Sequence, residues 1–256
     1  KDWATAKCSE EGFVNAVCTE GFSDRLMPRL SLPLKIMDRI KPVEVITTNA
    51  GEKVIDFGQI MSGVVEFTCR ESEGSEIFFQ FGEILQNGNF YNENLRTAKE
   101  EYRYISDGTV RKVRPYFTFY GFRYMKVTGI EDIRLEDFTG CVMYSEMDRI
   151  GNITTSNPKV NKLFQNAFWG QIGNFLDVPT DCPQRDERMG WTGDAQVFVG
   201  TANLNMYTPA FYRKYMYDLK KVQDTLEGSV PHVVPDILGQ IGRRVHPNER
   251  VVNKSH

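Results

Sequence analysis

The side chains that could carry out acid–base chemistry are concentrated between Asp177 and Asp194, where the sequence reads DVPTDCPQRDERMGWTGD. This segment places five carboxylates beside Arg185, Arg188 and Trp191. Crowded carboxylates raise one another's proton affinity unless an arginine offsets the effect. One carboxyl can then stay protonated near neutral pH while others remain ionised, as the acid of glycoside hydrolysis must. The segment is therefore a candidate hydrolytic site.

The same residue types also have structural interpretations. Asp194 could cap a helix that begins at the next residue, and the tryptophan could lie in a core. Arg185 and Arg188 could be structural partners of Asp181 and Asp186, since ion-pair networks also cluster charge. Composition and spacing alone leave both interpretations open.

Residues 43–146, upstream of this segment, have the pattern of a β domain. Short apolar runs rich in β-branched and aromatic residues alternate with turn residues such as Asn, Gly, Ser and Asp. The predicted strands include residues 55–57, 63–69, 77–81, 116–120, 124–128 and 141–144. Many short strands with regular turns predict an antiparallel β-sandwich rather than a parallel sheet.

After Asp148 the apolar residues recur at helical spacing, which predicts a domain boundary there. The candidate site lies between the first two of three predicted helices. The first helix begins at Ser156-Asn157-Pro158, the second after Asp194, and the third at Thr208-Pro209, ending near Gly228. In the first helix the apolar residues at helical spacing are Val160, Leu163, Phe164, Ala167 and Phe168. The predicted inward residues are Val197, Phe198, Thr201 and Ala202 in the second helix and Phe211, Tyr215, Leu219 and Val222 in the third.

The composition is that of a soluble globular protein, with 41% hydrophobic and 25% charged residues and a net charge of −3. This balance argues against a nucleic-acid or anionic-membrane partner, and no apolar run is long enough to span a bilayer. The compartment stays undetermined.

The five cysteines have no CxxC spacing, which argues against a zinc site. They are either buried free thiols or include one bridge, Cys8 to Cys18. The three histidines lack ligand spacing with the candidate site, so no metal or organic cofactor is expected.

The string from Asp181 to Asp194 closely resembles the signature of the α-L-rhamnosidases of glycoside hydrolase family 78. The resemblance runs from about residue 29 to about residue 236, which is most of the chain. Upstream segments that are also similar to family patterns are residues 56–59, 61–63, 82–85 and 119–124. Ile60 stands where the family usually has asparagine, which should affect packing only.

The resemblance implies a β-sandwich followed by an (α/α)6 barrel and an inverting mechanism. Glu187 matches the general acid, while Asp181, Arg185, Trp191 and Asp194 match residues that line the rhamnose pocket. In inversion the acid protonates the leaving oxygen, and a second carboxylate activates water on the opposite face of the sugar. The implied substrate is a rhamnose-containing glycan or rhamnoside.

Three regions are predicted on this basis. Residues 1–30 are interpreted as the tail of an upstream domain and a linker, residues 31–148 as the β-sandwich, and residues 149–256 as an incomplete N-terminal part of the barrel. The family's general base lies beyond His256, and Glu249 matches no base motif. We therefore expect a fragment whose exposed barrel helices could promote self-association.

Two other functions stay open from the sequence. One is a non-catalytic carbohydrate-binding or structural piece of such an enzyme. The other is a helical-barrel glycosidase that acts on a different sugar, because a fold does not fix specificity. A second carboxylate facing Glu187 across a pocket would favour the enzyme.

Overall fold

The structure, a computed structural model, describes residues 6–9, 11–21 and 26–238. The chain divides into two compact units, Lys1–Leu30 and Ser31–His256. In the first unit the described residues form turns at 6–7 and 11–12 but neither helix nor strand. The expectations for residues 239–256, Glu249 among them, lie outside the described residues.

The first part of the second unit is an antiparallel β-sheet. Its described strands are β1 (Leu34–Ile40), β2 (Glu44–Thr47), β3 (Lys53–Cys69), β4 (Glu76–Gly82), β5 (Ile84–Gln86), β6 (Asn89–Tyr91), β7 (Glu101–Ile105), β8 (Arg111–Val113), β9 (Tyr120–Thr128) and β10 (Phe138–Ser145). Eight of them form one sheet in the order β1-β10-β3-β9-β4-β7, with β2 and β8 pairing to β3. Strands β5 and β6 form a separate hairpin. The predicted antiparallel β architecture is confirmed.

The long strand β3 organises this sheet, because its two halves have different neighbours. Its first half pairs with β2, and its second half pairs with β10 and β8. The pairing with β9 shifts register between Asp56 and Met61, at a bulge where Gly58 has φ +73°. The bulge bends the strand, so the sheet curls around one core. That core is rich in fully buried aromatic side chains, namely Phe57, Phe67, Phe79, Phe81, Phe122 and Phe138.

Five of the six predicted strand segments lie in strands, and one is wrong. Residues 55–57 and 63–69 belong to β3, and residues 77–81 to β4; the segments 124–128 and 141–144 lie in β9 and β10. In the segment 116–120, only Tyr120 is in a strand. Phe117 has φ +61° and is fully exposed, so the chain turns there before β9 begins.

The described part of this unit also holds three helices, α1 (Pro158–Asn174), α2 (Thr192–Asn205) and α3 (Pro209–Thr225). The side chain of Asn157 accepts a hydrogen bond of 2.9 Å from the Lys159 amide, which confirms the predicted cap of α1. Helix α2 begins at Thr192 rather than after Asp194, so Asp194 lies in its first turn. None of these helices combines the length and apolar character that crossing a bilayer requires.

Two short strand pairs join the helices to the candidate site. Strand β11 (Phe175–Leu176) pairs with β12 (Val178–Pro179), and β13 (Gly190–Trp191) pairs with β14 (Val233–Val234). The chain therefore enters the candidate site from β12 and leaves it through β13 into α2.

Only some of the apolar residues that recur at helical spacing are buried in the three helices. Ala202, Phe211 and Tyr215 are buried, as predicted, and so is Phe168. The side chains of Val160, Leu163, Val197 and Thr201 are exposed, so the predicted inward position of Val197 and Thr201 is wrong. Val160 and Leu163 are exposed because α1 packs on the sheet through its C-terminal half, where Phe168 and Ile172 join the core of the sheet. Apolar spacing predicts a helical face but not how much of that face a neighbour covers.

The cysteines are all free thiols, which confirms that interpretation and excludes the Cys8–Cys18 bridge in this structure. Cys69, Cys141 and Cys182 are buried, whereas Cys8 is half-buried and Cys18 is exposed. The expected burial therefore holds for three of them.

Buried polar contacts tie the helices to each other and to the sheet. Gln171 of α1 donates to the Ala202 carbonyl at 3.2 Å and accepts from the Asn205 amide at 2.8 Å. The Ser62 hydroxyl of β3 donates to the Met143 carbonyl at 2.8 Å and lies 3.5 Å from the Ile172 carbonyl of α1. Buried polar groups need such partners, so these contacts fix α1 against both α2 and the sheet.

Gly63 offers a test of the sheet packing. A Cβ atom at this position would lie 1.9 Å from the Cys141 carbonyl oxygen of the neighbouring strand β10. We expect Gly63→Ala to lower the free energy of unfolding by about 3 kcal/mol or more, because backbone on both sides must shift. Urea unfolding would measure this change. Gly200→Ala is the control, since its Cβ meets nothing within 4 Å on helix α2 and should stabilise by roughly 0.5–1 kcal/mol. An unchanged urea midpoint for Gly63→Ala would contradict the close approach of Gly63 to the Cys141 carbonyl.

Candidate active site

The candidate site is a loop, residues 180–191, that the helical part of the unit holds at both ends. At its start the Thr180 amide and hydroxyl donate to the Asn174 carbonyl at 2.8 and 2.9 Å. At its end the Tyr215 hydroxyl donates to the Gly190 carbonyl at 3.0 Å, and the Thr192 hydroxyl donates to the Pro231 carbonyl at 2.8 Å. We call residues 180–191 the acid loop.

The carboxylate of Glu187 is held by two arginines from different parts of the fold. Arg96 Nη1, from the sheet part, lies 2.8 Å from Glu187 Oε2. Arg185 Nη1, from the acid loop itself, lies 3.4 Å from Glu187 Oε1. The side chain of Glu187 is 24% exposed, so water still reaches it. Both oxygens thus have a cationic partner, and the orientation of the carboxylate is defined.

Arg188 connects the acid loop to the sheet part. It forms an ion pair with Glu100, whose side chain is 3% exposed. Its Nη1 donates to the Phe119 carbonyl at 3.0 Å, and its guanidinium lies 4.3 Å from the centre of the Phe119 ring. The structural interpretation of Arg188 is therefore right, but its partner is Glu100 rather than Asp186.

The other loop side chains also contact the sheet part. Arg185 Nε donates to the Asn94 carbonyl at 3.1 Å, and Asp186 accepts from the Thr97 hydroxyl. The Gln184 amide donates to Glu83 at 2.9 Å. These contacts place the acid loop on the segment 83–100, which we call the seat.

Two acids of the seat, the buried Glu100 and the half-buried Glu83, have raised pKa values. Burial raises the pKa of Glu100 to about 7, while Arg188 and the Gly121 amide oppose the rise. Burial also raises the pKa of Glu83, and the hydrogen bond from Gln184 opposes it. The sequence analysis assigned no role to either acid. Glu83 lies in a segment that resembles the family pattern, but no pattern marks Glu100.

Gly121 of strand β9 lets the acid loop approach the sheet. A Cβ atom there would lie 2.7 Å from the Gln184 amide nitrogen and 2.8 Å from the Pro183 carbonyl carbon. The Gly121 amide itself donates to Glu100 at 3.0 Å. The absence of a side chain therefore permits both the loop contact and the buried hydrogen bond.

A cavity of about 620 Å³ lies beside the acid loop, between α1, α2 and α3. Its wall includes Asp181, Asp194, Asn174, Phe175 and Tyr212. The volume is within the range of small-ligand sites. Of the predicted site residues, Asp181 and Asp194 line the cavity, whereas the tryptophan, Arg185 and Glu187 are not among its lining residues.

Two residues that line the cavity have buried polar atoms without partners within the described part of the chain, Asp181 Oδ1 and the Tyr212 hydroxyl. Trp191 Nε1 is also without a partner there, but its residue does not line the cavity. An unsatisfied buried polar atom costs about 1–3 kcal/mol. Burial raises the pKa of Tyr212 to about 12, so its hydroxyl stays a donor. The cavity wall therefore offers one donor and one acceptor to a ligand with hydroxyl groups.

The acid loop also brings Asp181, Cys182 and Glu187 together, with ligand atoms within 4.8 Å of one another. This set fits a metal poorly. Burial and the neighbouring Asp181 raise the pKa of the Cys182 thiol to about 12, so the thiolate that binds metals is disfavoured. Glu187 is already engaged by two arginines. The expectation of no metal stays a prediction.

Models of known protein families match two parts of this chain. A family model described as the bacterial alpha-L-rhamnosidase concanavalin-like domain matches residues 46–144. A second, described as the bacterial alpha-L-rhamnosidase 6 hairpin glycosidase domain, matches residues 148–249. The two matches cover the sheet part and the part that contains the acid loop.

Curated relatives and solved structures agree with these models. An alpha-L-rhamnosidase of Alteromonas sp. (strain LOR) is 36% identical over 214 residues, covering 82% of this chain and 23% of the relative. One of Formosa agariphila is 38% identical over 220 residues, covering 84% and 23%. The chain thus spans about a quarter of the length of these relatives.

Among solved structures, the alpha-L-rhamnosidase of Aspergillus terreus superposes with a TM-score of 0.87 and 34% identity, over 93% of this chain and 28% of that one. The Streptomyces avermitilis alpha-L-rhamnosidase complexed with L-rhamnose superposes with a TM-score of 0.78 and 37% identity, over 81% and 20%.

The raised pKa of Glu100 predicts how stability depends on pH. A carboxyl that holds its proton more tightly in the folded state stabilises the fold below pH 4.5, and this contribution is lost as pH rises to about 7. The difference corresponds to roughly 3 kcal/mol. We expect Glu100→Gln to flatten the fall in the free energy of unfolding between pH 5 and 8, as measured by urea unfolding at each pH.

The control is Glu131→Gln, at an exposed position of the sheet part, which should keep the slope of the parent. If Glu100→Gln and the parent show the same slope, Glu100 does not take up a proton in this range.

Proposed function

The chain belongs to the bacterial α-L-rhamnosidase family, and on that premise we propose that it provides the general-acid side of a site that hydrolyses terminal α-L-rhamnosides. The observation that carries the proposal is the Glu187 carboxylate, fixed by Arg96 and Arg185 beside a cavity with unsatisfied polar groups. In this role Glu187 donates its proton to the glycosidic oxygen as the bond to the sugar breaks.

The other loop residues are proposed to hold the sugar. Asp181 lines the cavity and presents an unpartnered buried oxygen, which suits a sugar hydroxyl as donor. Asp194 lines the same cavity from the first turn of α2. Trp191 offers its indole N–H, and Arg185 can add a hydrogen bond while it holds Glu187. The relative from Streptomyces avermitilis is described as complexed with L-rhamnose, which supports a rhamnoside as the substrate.

We also propose that the mechanism inverts the anomeric configuration. The ligand oxygens of Asp181 and Glu187 lie within 4.8 Å of each other, which is less than the roughly 6.5–9.5 Å that separates inverting pairs. Asp181 therefore leaves no room for the attacking water and is assigned to binding. The base is a different carboxylate, on the far side of the sugar.

The three helices are proposed to be the first of an (α/α)6 barrel. Supporting this are the match to a six-hairpin glycosidase model and the open faces of α1 and α2, where Leu163 and Val197 are exposed. In such a barrel these faces would be covered by further helices. Self-association through them stays a prediction.

Glu187→Gln tests the acid in the full natural polypeptide. We expect turnover of phenyl α-L-rhamnoside to fall about 10²–10⁴-fold, because phenolate is a poor leaving group that needs protonation. Turnover of 2,4-dinitrophenyl α-L-rhamnoside should fall far less, since that leaving group departs unprotonated. Steady-state kinetics on both substrates would measure this, with Glu131→Gln as an unaffected control. Equal turnover of the phenyl substrate by parent and variant would remove Glu187 from the role.

The stereochemistry of the first-formed product tests inversion. Hydrolysis of an α-L-rhamnoside should release β-L-rhamnose, because water attacks the face opposite the leaving group. Proton NMR in the first minutes of the reaction distinguishes the anomers before mutarotation. Initial release of the α-anomer would overturn inversion and would reopen a nucleophilic role for Asp181.

A further inference from the structure

We propose that Arg96, a residue of the sheet part, is a positioning residue for the acid Glu187, so that the sheet completes the active site. This inference rests on the proposed function. Arg96 does not line the cavity; its guanidinium contacts Glu187 and also interacts electrostatically with the neighbouring Asp186.

The first support is the geometry of the contact. Arg96 Nη1 lies 2.8 Å from Glu187 Oε2, the shorter of the two contacts between this carboxylate and an arginine. Arg185 reaches the other oxygen at 3.4 Å from only two residues away in the chain. Arg185 belongs to the acid loop and reaches the seat through a hydrogen bond from its Nε to the Asn94 carbonyl, whereas Arg96 is itself a residue of the seat. Arg96 therefore links the Glu187 carboxylate directly to the sheet part.

A contribution to the stability of the fold does not explain the ion pair between Arg96 and Glu187. The Arg96 side chain is 58% exposed, and an ion pair at such a position contributes about 0–1 kcal/mol. The backbone of Arg96 has φ +58° and ψ −115°, the conformation of the first central residue of a type II′ turn. Glycine is the residue that adopts it without steric cost. An arginine there costs on the order of 1–3 kcal/mol, which the exposed pair does not offset.

A second residue of the seat combines a positive φ with a charged side chain that contacts the acid loop. Glu100 also has a positive φ, of +49°, and its side chain forms the buried ion pair with Arg188 of the acid loop. Three non-glycine residues of the seat have positive φ, namely Asn87, Arg96 and Glu100. Of these, Arg96 and Glu100 direct a charged side chain to neighbouring residues of the acid loop. The common feature is the contact with the loop.

The seat is rigid enough for this role. Besides the Arg188–Glu100 pair, the loop is held by the hydrogen bonds from Gln184 to Glu83 and from Arg185 to the Asn94 carbonyl. These contacts flank Arg96 in the chain on both sides. Its guanidinium therefore approaches Glu187 from a fixed backbone.

Arg96→Gly separates positioning from stability, because it relaxes the backbone while it removes the side chain. In the full natural polypeptide we expect an unchanged or higher melting temperature. At the same time, kcat for phenyl α-L-rhamnoside should fall about 10- to 100-fold with little change in KM, since a misplaced acid loses part of its effect. The kcat for 2,4-dinitrophenyl α-L-rhamnoside should change by less than about threefold, because its leaving group needs little protonation. Arg96→Lys should recover part of the lost turnover.

Two variants serve as controls. Asn87→Gly removes a side chain from another position with positive φ in the sheet part, and Arg134→Gln breaks an exposed ion pair with Asp132 there. Neither should alter the ratio of the two turnover numbers.

The outcomes separate this inference from the proposed function. Selective loss on the phenyl substrate at an unchanged melting temperature supports positioning by Arg96. Equal losses on both substrates, a lower melting temperature, or no loss at all would overturn it, even where Glu187→Gln behaves as proposed. If the parent hydrolyses neither rhamnoside, the proposed function fails and the inference fails with it.

Discussion

The arrangement of the candidate site depends on one buried ion pair, between Glu100 of the sheet part and Arg188 of the acid loop. Burial disfavours the charged form of Glu100, as its raised pKa reflects, so the pair holds only while arginine and the Gly121 amide compensate. Removing one partner of such a pair typically costs roughly 3–5 kcal/mol. This pair therefore ties the acid loop to the seat at Arg188.

The position of the loop divides the site between two parts of one unit. The helices build the cavity and present Asp181, Asp194 and Tyr212 to its interior. The sheet holds the acid, through Arg96 on its carboxylate and through Arg188 one residue further on. In an α-L-rhamnosidase, binding of the sugar and delivery of the proton would therefore be set by different elements. Helix α1 shares a hydrophobic core with the sheet, so the cavity and the seat belong to one packed unit.

Several features of the fold were predictable because they follow from local physics. The Asn157 cap, the third helix and most strands follow from capping chemistry and from apolar periodicity. The aromatic run at 116–120 was misassigned, because the left-handed conformation of Phe117 is set by the path of the chain toward β9. The exposure of Val197 has a similar cause. Its spacing marks a helical face, but coverage of that face depends on neighbours far away in sequence.

For the site, the motif from Asp181 to Asp194 was enough to identify the loop, its residue types and its family, because it is a contiguous string in the sequence. The resemblance to the family also predicted Glu187 as the general acid, and this role stays a prediction. Which arginine pairs with which carboxylate could be seen only in the fold: Arg188 pairs with Glu100, and Arg96 with Glu187. Ion pairs form over a few ångströms of space, whereas these partners are 88 and 91 residues apart in the sequence. The charge and type of each residue are given by the sequence, whereas the distances between residues that are far apart in the sequence are set by the fold.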